Sequence, residues 1–361
     1  MSGITRRDAL GATLATGLAA RLPATVAPAS TDPGETIDLW PNGAPGIPAT
    51  PPRETIEERS PDPALRDRAV YGITRPRMIV FRPATPNGSA VLVTPGGGYR
   101  WVVIDKEGYE IGRWLSARGY TVFVLFYRLP GEGWAAGPEV ALSDAQRAMR
   151  LIRARARDYG IRPERVAAMG FSAGGHVCAD LATRFALPTY TPVDAADALS
   201  ARPDIAAPIY AVQSMAAPLA HSGSRRLLIG ADASPALERR HTPAANVTRD
   251  TPPCFLLHAD DDDVVPAENS IELRAALKRA GVAVETHLFT HGGHGFGLRR
   301  AAGKPVAVWP ELFHARGWAD GGQSARSAGR GGRRAGADGA WRLRRGEPRT
   351  RRGDVMAARG R

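Results

Sequence analysis

The stretch Met169-Gly170-Phe171-Ser172-Ala173-Gly174-Gly175-His176 decides the predicted fold. A short apolar run at residues 165–169 precedes it, as expected of a buried strand, and an Ala- and Leu-rich helical run follows at residues 177–185. A serine between two glycines at such a turn is typical of a nucleophile elbow, because glycine leaves the sharp turn free of colliding side chains. The chain has 40 Gly, so the short match alone is weak, and its strand-turn-helix context carries the prediction.

Outward from this stretch, predicted strands and helices alternate along the chain. The strands are residues 73–81, 90–94, 120–127, 165–169, 207–215, 253–258 and 282–289. The helices are residues 107–117, 138–159, 177–185, 234–241 and 267–280. Such alternation predicts an α/β fold with a mainly parallel central sheet and helices on both faces. The Pro-, Asp- and Ala-rich residues 186–204 are predicted to form a cap or loop insertion over the end of the sheet.

The composition describes one globular domain with a basic tail. The chain has 361 residues, 43% of them hydrophobic, which suffices for the core of an ordinary α/β domain. Of the net charge of +12, residues 315–361 supply +9, with 13 Arg, no Lys and 4 acidic residues. The fold therefore gives no reason to expect a specific nucleic-acid partner. Residues 315–361 are predicted to be disordered, either as a genuine basic binding tail or as the product of a shifted reading frame.

The N-terminal residues resemble an export signal. Thr5-Arg6-Arg7-Asp8-Ala9-Leu10 is followed by a mild apolar run, and Ala27-Pro28-Ala29 offers a small-x-small cleavage site. We expect residues 1–29 to be a twin-arginine signal peptide that uses the export machinery and delivers the protein to the periplasm or outside the cell; a basic disordered start is the alternative. No apolar run reaches transmembrane length, so no membrane span is expected.

Two further segments complete the predicted organisation. Residues 30–70, rich in Pro, Gly and charges, are expected to form an extended arm that Trp40 pins to the domain at residues 71–314. Cys178 and Cys254 both lie in apolar runs, which favours buried free thiols over a disulfide framework.

If Ser172 is a nucleophile, it needs a general base. His294 is the best candidate because it lies on a Gly-rich turn directly after a predicted strand. His291 could join His294 on a metal ion, but no third ligand is evident, so no metal site is predicted. His176 is expected to be packed or capping, and His258 to orient the acidic turn that follows it.

The base in turn needs a carboxylate that holds its tautomer. The acidic turn supplies four candidates, Asp260 to Asp263, and one of the others can cap the following helix. The spacing lacks the alternating ligands and terminal Glu of an EF-hand, which argues against a calcium loop. The residues alone leave the register open, but the order Ser, Asp, His is that of α/β-hydrolases.

The third element of the chemistry is a Gly-rich loop at residues 95–99, Pro-Gly-Gly-Gly-Tyr, after an early strand. Its glycines let backbone N–H groups approach a tetrahedral oxyanion, and the Ala173 N–H at a helix start is a second donor site. A plain Gly-rich turn is the alternative; a phosphate loop is disfavoured because no Lys-Ser/Thr follows.

Together these motifs resemble one family, the bacterial α/β-hydrolase esterases similar to acetyl xylan esterases and bifunctional carbohydrate/feruloyl esterases. The resemblance covers roughly residues 39–314 and implies the α/β-hydrolase fold without a cofactor. In the family's turn the catalytic Asp comes four places after the His, which is Asp262 here. The family's oxyanion donors correspond to Gly97, Gly98 and Ala173. Pro95 stands where other esterases have His, and the tail departs from the family's apolar final helix.

The resemblance implies a serine carboxylic-ester hydrolase with Ser172, Asp262 and His294 as its triad. Its substrates would be acetyl or aromatic acyl esters of plant polysaccharide. A serine aminopeptidase of the prolyl-oligopeptidase type shares the Ser-Asp-His order, but the segment before residue 73 is too short for its propeller. An Arg-rich binder of anionic polymers is the alternative without catalysis.

Overall fold

The computed structural model describes residues 32–316. The chain divides into two compact units, Met1–Glu311 and Leu312–Arg361, and only the first five residues of the second are described. The predicted signal peptide and all but two residues of the predicted tail lie outside the described residues.

The strands of the described residues form one large and one small sheet. In chain order they are β1 (Thr36–Asp38), β2 (Thr55–Glu58), β3 (Arg68–Tyr71), β4 (Arg77–Phe81), β5 (Ala90–Thr94), β6 (Val102–Val103), β7 (Thr121–Phe126), β8 (Val166–Phe171), β9 (Ile205–Ile209), β10 (Cys254–Ala259) and β11 (Val284–Phe289). The large sheet has the order β1-β4-β7-β5-β8-β9-β10-β11 and is parallel from β7 to β11. Only β1 and β4 pair antiparallel with their neighbours.

Helices cover both faces of this sheet. The described α-helices are α1 (Glu110–Ser116), α2 (Val140–Ala154), α3 (Ser172–Arg184), α4 (Ser222–Ile229), α5 (Pro235–Arg240), α6 (Glu268–Arg279) and α7 (Trp309–Arg316), of which α7 begins in the first compact unit and ends in the second. Every residue of β5, β7, β8 and β10 is buried. Since alternate residues of a strand face opposite sides, both faces of these strands are covered. The predicted fold class is confirmed.

The N-terminal arm is built into the domain rather than lying loose on it. Strand β1 pairs with β4. The Trp40 Nε1 donates to Asp144 at 2.8 Å, and Arg147 Nε donates to the Leu39 carbonyl at 2.9 Å. Trp40 therefore pins the arm, as predicted. The small antiparallel sheet β2-β3-β6 fixes the segment directly after the Gly-rich loop, because β6 begins at Val102.

The prediction of a cap at residues 186–204 is wrong. This segment joins the end of α3 to the start of β9, and the Val166 N–H donates to Asp204 Oδ2 at 3.0 Å at the first residue of β8. It therefore lies at the amino edge of the parallel strands, whereas Ser172 follows the carboxyl end of β8. The chain leaves the carboxyl edge of β9 at Tyr210, and the segment that follows contains α4, which lines the same cavity as Ser172.

Some predicted bounds also move. The strand predicted at residues 207–215 is Ile205–Ile209, and it ends where Tyr210 adopts a φ of +35°. The predicted helix at 107–117 is a π-helical turn, Asp105–Tyr109, followed by α1. Cys178 and Cys254 are buried free thiols, as predicted. Within residues 32–316, none of the helices has the length and apolar content that a membrane span requires.

Candidate active site

Ser172 stands at a sharp turn between β8 and α3. Its φ is +53°, a left-handed conformation that a non-glycine residue adopts only under strain. A Cβ at Gly170 would lie 2.2 Å from the Gly174 carbonyl oxygen, and one at Gly174 would lie 2.1 Å from the Thr94 carbonyl oxygen. Both glycines of the motif are therefore required by the close approach of the backbone, and the turn has the backbone geometry predicted for a nucleophile elbow.

Three distant side chains meet at this turn. Ser172 Oγ lies 2.9 Å from His294 Nε2, and His294 Nδ1 lies 2.7 Å from Asp262 Oδ2. An ionised carboxylate only accepts, so Nδ1 carries the imidazole proton and Nε2 accepts from the serine hydroxyl. The ring of Tyr210 packs edgewise on the imidazole, with centroids 5.3 Å apart. This is the geometry expected of a serine with a general base of fixed tautomer, and the catalytic roles of the three residues stay a prediction.

The acidic turn places Asp262, and none of its three acidic neighbours, against His294. Asp262 Oδ1 accepts from the N–H groups of Val264 and Val265 at 3.0 and 2.8 Å, which leaves Oδ2 for the imidazole. Asp261 accepts instead from the backbone of the histidine loop, from Gly292 and Gly293 at 2.8 and 2.7 Å. Asp260 and Asp263 are exposed. Two adjacent aspartates thus tie the acidic turn to the histidine loop.

His258 completes the surroundings of Asp262, as its predicted orienting role requires. Its Nε2 lies 2.9 Å from the Val265 carbonyl and 3.3 Å from Asp262 Oδ2, so Nε2 carries the proton; its Nδ1 pairs with Ser270 Oγ at 2.8 Å. Burial disfavours the charge of Asp262, but the hydrogen bonds from His258 and His294 outweigh it and hold its pKa well below the usual value. Asp262 is therefore a carboxylate at neutral pH.

The Gly-rich loop lies beside Ser172 with its backbone exposed to the same cavity. Gly97 and Gly98 have φ values of +134° and +65°. Among residues 32–316 their N–H groups donate no hydrogen bond, whereas the Gly96 N–H donates to Glu107 Oε2 at 2.9 Å. Ala173 lies in the first turn of α3, where amides have no intrahelical acceptor. The three predicted oxyanion donors are thus unoccupied amides around the serine; their catalytic role stays a prediction.

The sequence did not reveal the side chains that support this loop. Glu107 is 3% exposed and links two loops, because it accepts from Gly96 and, through Oε1, from the Tyr210 hydroxyl at 3.1 Å. That hydroxyl in turn accepts from the Gly297 N–H at 3.1 Å, beyond the histidine loop. Only long-range contacts distinguish Glu107 from an ordinary helical Glu, so no local signal marks it.

Tyr99 anchors the other end of the Gly-rich loop. Its hydroxyl lies 2.6 Å from His176 Nδ1, and His176 Nε2 lies 2.7 Å from the carbonyl of His241. A carbonyl only accepts, so Nε2 carries the proton and Nδ1 accepts from Tyr99. Burial lowers the pKa of His176 to about 4, which keeps the ring neutral. His176 is packed, as predicted, and it ties the loop to α3.

His291 and His294 do not belong to a cluster of metal-ligating side chains within residues 32–316. His291 is an exposed side chain that lies near Asp261. Within the described residues, one group has metal-ligand chemistry, formed by Glu139, Asp180 and His241. Arg184 donates to both carboxylates at 2.6 to 3.0 Å, and Arg240 donates to Glu139 at 2.9 Å, so two guanidinium groups already pair with them.

Comparison with known proteins finds a matching family model and curated relatives. The family model described as BD-FAE matches residues 80–277. An acetylxylan esterase of Xylanibacter ruminicola is 31% identical over 227 residues, which are 62% of this chain and 44% of that protein. Endo-1,4-beta-xylanase B of Butyrivibrio fibrisolvens is 34% identical over 205 residues, 57% of this chain and 32% of that protein. The chain therefore spans less than half the length of these two curated relatives.

Solved structures extend the likeness over the whole domain. The acetyl ester-xyloside bifunctional hydrolase from Caldicellulosiruptor lactoaceticus is 33% identical with a TM-score of 0.67, and the match covers 81% of this chain and 97% of that one. MGS-M1, an alpha/beta hydrolase enzyme from a Medee basin deep-sea metagenome library, is 24% identical with a TM-score of 0.52 over 74% of this chain and 97% of that one, and shares the fold.

Proposed function

Because this chain belongs to the BD-FAE family and has the α/β-hydrolase fold, we propose that it is a serine carboxylic-ester hydrolase that removes acetyl or aromatic acyl groups from carbohydrate. One observation carries the proposal. Ser172 Oγ, His294 and Asp262 form a continuous hydrogen-bonded chain with distances of 2.9 and 2.7 Å beside unoccupied backbone amides.

The geometry supports a two-step acyl transfer. Ser172 Oγ attacks the ester carbonyl carbon while His294 Nε2 takes the hydroxyl proton, and Asp262 stabilises the imidazolium that forms. The carbonyl electrons move onto the oxygen, which faces the amides of Gly97, Gly98 and Ala173. Collapse breaks the bond to the leaving alcohol, which receives the proton from His294. Water activated by His294 then cleaves the acyl-serine and restores the free hydroxyl.

The substrate class rests on the relatives. The names acetylxylan esterase and acetyl ester-xyloside bifunctional hydrolase support acetyl groups on xylan-type sugars as the first substrates to test. The site accommodates such an ester, because Ser172 and His294 open into a cavity of about 550 Å³.

The test is a substrate panel on the purified protein and its Ser172→Ala variant. The panel comprises p-nitrophenyl acetate, acetylated xylan, feruloylated arabinoxylan and a proline para-nitroanilide. We expect ester hydrolysis that falls by several orders of magnitude in Ser172→Ala and is unchanged in Ser200→Ala, an exposed serine at the opposite edge of the sheet. Wild-type turnover in Ser172→Ala would refute the proposal, and activity on the anilide alone would favour an aminopeptidase.

We further propose that the protein is exported through the twin-arginine route. The paired Arg6 and Arg7 before an apolar run support this. Expressed in a bacterium with that route, the wild-type chain should reach the periplasm or medium with its first residues removed. The double variant Arg6→Lys, Arg7→Lys should stay inside; equal export of both would contradict the proposal.

A further inference from the structure

Lys106 is a buried cation in the cavity that holds Ser172 and His294. It is 6% exposed, and its one ion-pair partner among residues 32–316 is Glu107, with Nζ 3.7 Å from Oε1. That distance exceeds a hydrogen bond, and within residues 32–316 the ammonium has no acceptor closer. Its Nζ is not one of the polar atoms that are sealed from solvent, so the ammonium reaches the cavity at its tip and can bind a ligand there.

Glu107 offsets the charge of Lys106 but does not accept a hydrogen bond from it. Its Oε2 accepts from the Gly96 N–H, and its Oε1 accepts from the Tyr210 hydroxyl. Both carboxylate oxygens are therefore used in holding the loops around Ser172. The three N–H groups of Lys106 remain for something that enters the cavity.

Lys106 lies close to the reacting groups. A Cβ built on Gly295 would be 3.1 Å from its Nζ, and Gly295 directly follows His294. The ammonium is thus beside the loop that carries the general base. A group bound to it would belong to the ester being cleaved rather than to a remote part of a polymer.

The cavity as a whole has an excess of positive charge. Two acidic side chains line it, Glu107 and Asp263, against five cations, Arg59, Arg100, Lys106, Arg226 and Arg300. Arg59 is paired with Asp67 at 2.7 Å. Arg100, Arg226 and Arg300 are exposed and make no ion pair among the described residues. A cleft lined by one sign of charge concentrates ligands of the opposite sign.

We propose that the ester substrate carries a carboxylate, and that Lys106 binds it. A neutral hydroxyl would satisfy the N–H groups but would leave the charge of the cavity uncompensated. The carboxylate can belong to the alcohol part, as in an acetylated sugar next to a uronic acid, or to the acyl part, as in a dicarboxylic half-ester. This inference rests on the proposed ester hydrolysis and adds the charge of its substrate.

Two pairs of esters, each matched in shape and different in charge, test the proposal. For the alcohol side they are 3-acetoxybenzoate and 3-acetoxybenzamide. For the acyl side they are the mono-4-nitrophenyl ester of adipic acid and its terminal amide. We expect kcat/KM of the wild-type protein to be at least about tenfold higher for the anion in one pair, and the pair that shows the preference identifies the side.

Variants of Lys106 then assign the preference. Lys106→Met should abolish the difference between anion and amide, and Lys106→Arg should keep most of it. Lys278→Met, at an exposed position on α6, is the matched control and should leave the difference unchanged. If Lys106→Met does not fold, an inhibition assay on the wild-type protein takes the place of this variant. In that assay, 3-hydroxybenzoate should inhibit p-nitrophenyl acetate hydrolysis more strongly than 3-hydroxybenzamide.

The outcomes separate this inference from the proposed function. Hydrolysis of all four esters without preference for either anion, or an equal loss on anion and amide in Lys106→Met, would overturn the role of Lys106 and leave the esterase proposal intact. Absence of hydrolysis of every ester, including p-nitrophenyl acetate, would overturn both.

Discussion

Replacing Asp262 with Asn tests the triad at the atom that sets the histidine tautomer. Asp262 Oδ1 accepts from two backbone N–H groups, so the carbonyl oxygen of an asparagine must occupy that place. Its NH₂ group then replaces Oδ2, 2.7 Å from His294 Nδ1. An NH₂ donates, so Nδ1 must lose its proton and Nε2 must hold it. Such an imidazole cannot accept the proton of Ser172.

The magnitude follows from this wrong tautomer. A loss of about 10⁴ in kcat is typical of such a change in serine hydrolases, which corresponds to about 5.5 kcal/mol in the barrier. KM should stay within a few-fold, because Asp262 does not line the substrate cavity. Initial rates with p-nitrophenyl acetate provide the assay, with circular dichroism to confirm folding.

Asp260→Asn is the matched control for this prediction, since Asp260 is an exposed member of the same acidic turn that does not contact His294. It should retain kcat within a factor of about two. Asp262→Asn with near wild-type kcat, or an equal loss in Asp260→Asn, would refute the assignment.

Three further changes probe the supports of the site. Tyr99→Phe leaves His176 Nδ1 buried without the hydroxyl 2.6 Å away, so the free energy of unfolding in urea should fall by about 1–3 kcal/mol; an unchanged value would contradict the contact. Burial lowers the pKa of His176 from 6.5 to about 4, so the unfolded chain binds more protons between these values. The contribution of the neutral ring to the free energy of unfolding is fully present above pH 6.5 and decreases by about 3 kcal/mol as the pH falls toward 4. The free energy of unfolding of His176→Gln in urea should therefore decrease less than that of the wild-type protein as the pH falls over this range. Parallel decreases in the two proteins would be evidence against this role of His176. A Cβ at Gly97 would lie 2.2 Å from the Trp101 carbonyl, so Gly97→Ala should lower kcat by about 10²–10³. Gly34→Ala, where a Cβ meets no atom and φ is not positive, should leave kcat unchanged, and equal effects of the two changes would remove the special role of the loop.

The sequence predicted most where local chemistry decides the structure. The strand predicted at residues 90–94 is β5 within its observed bounds, because a short apolar run between polar residues is typical of a buried strand. The elbow was predictable because only glycine fits beside Ser172 where backbone segments meet. His294 was predictable as a partner from its place on a turn after β11.

Other features depend on contacts that no local pattern encodes. Four adjacent aspartates are equivalent in sequence, and Asp262 is distinguished by two backbone N–H groups and two histidines. Lys106 and Glu107 resemble ordinary charged helical residues until the fold buries them. The strand was predicted to continue past Ile209 to residue 215 because most of these residues are apolar. The structure buries them in a loop, and a buried loop resembles a strand in sequence.

The misplaced cap has a topological reason. Composition shows that residues 186–204 form a loop but not at which edge of the sheet they lie. A helix that starts at the carboxyl end of β8 runs back to the amino edge, so the segment after α3 must lie opposite Ser172. Following the chain direction along β8 and back along α3 therefore places residues 186–204 at the correct edge of the sheet without any side-chain information.

Covalent labelling with a fluorophosphonate, followed by peptide mass spectrometry, tests most directly whether His294 activates Ser172. We predict one label per wild-type chain, on Ser172, with little labelling in His294→Ala. Labelling at another residue, or equally fast labelling of Ser172 without the imidazole, would contradict the account.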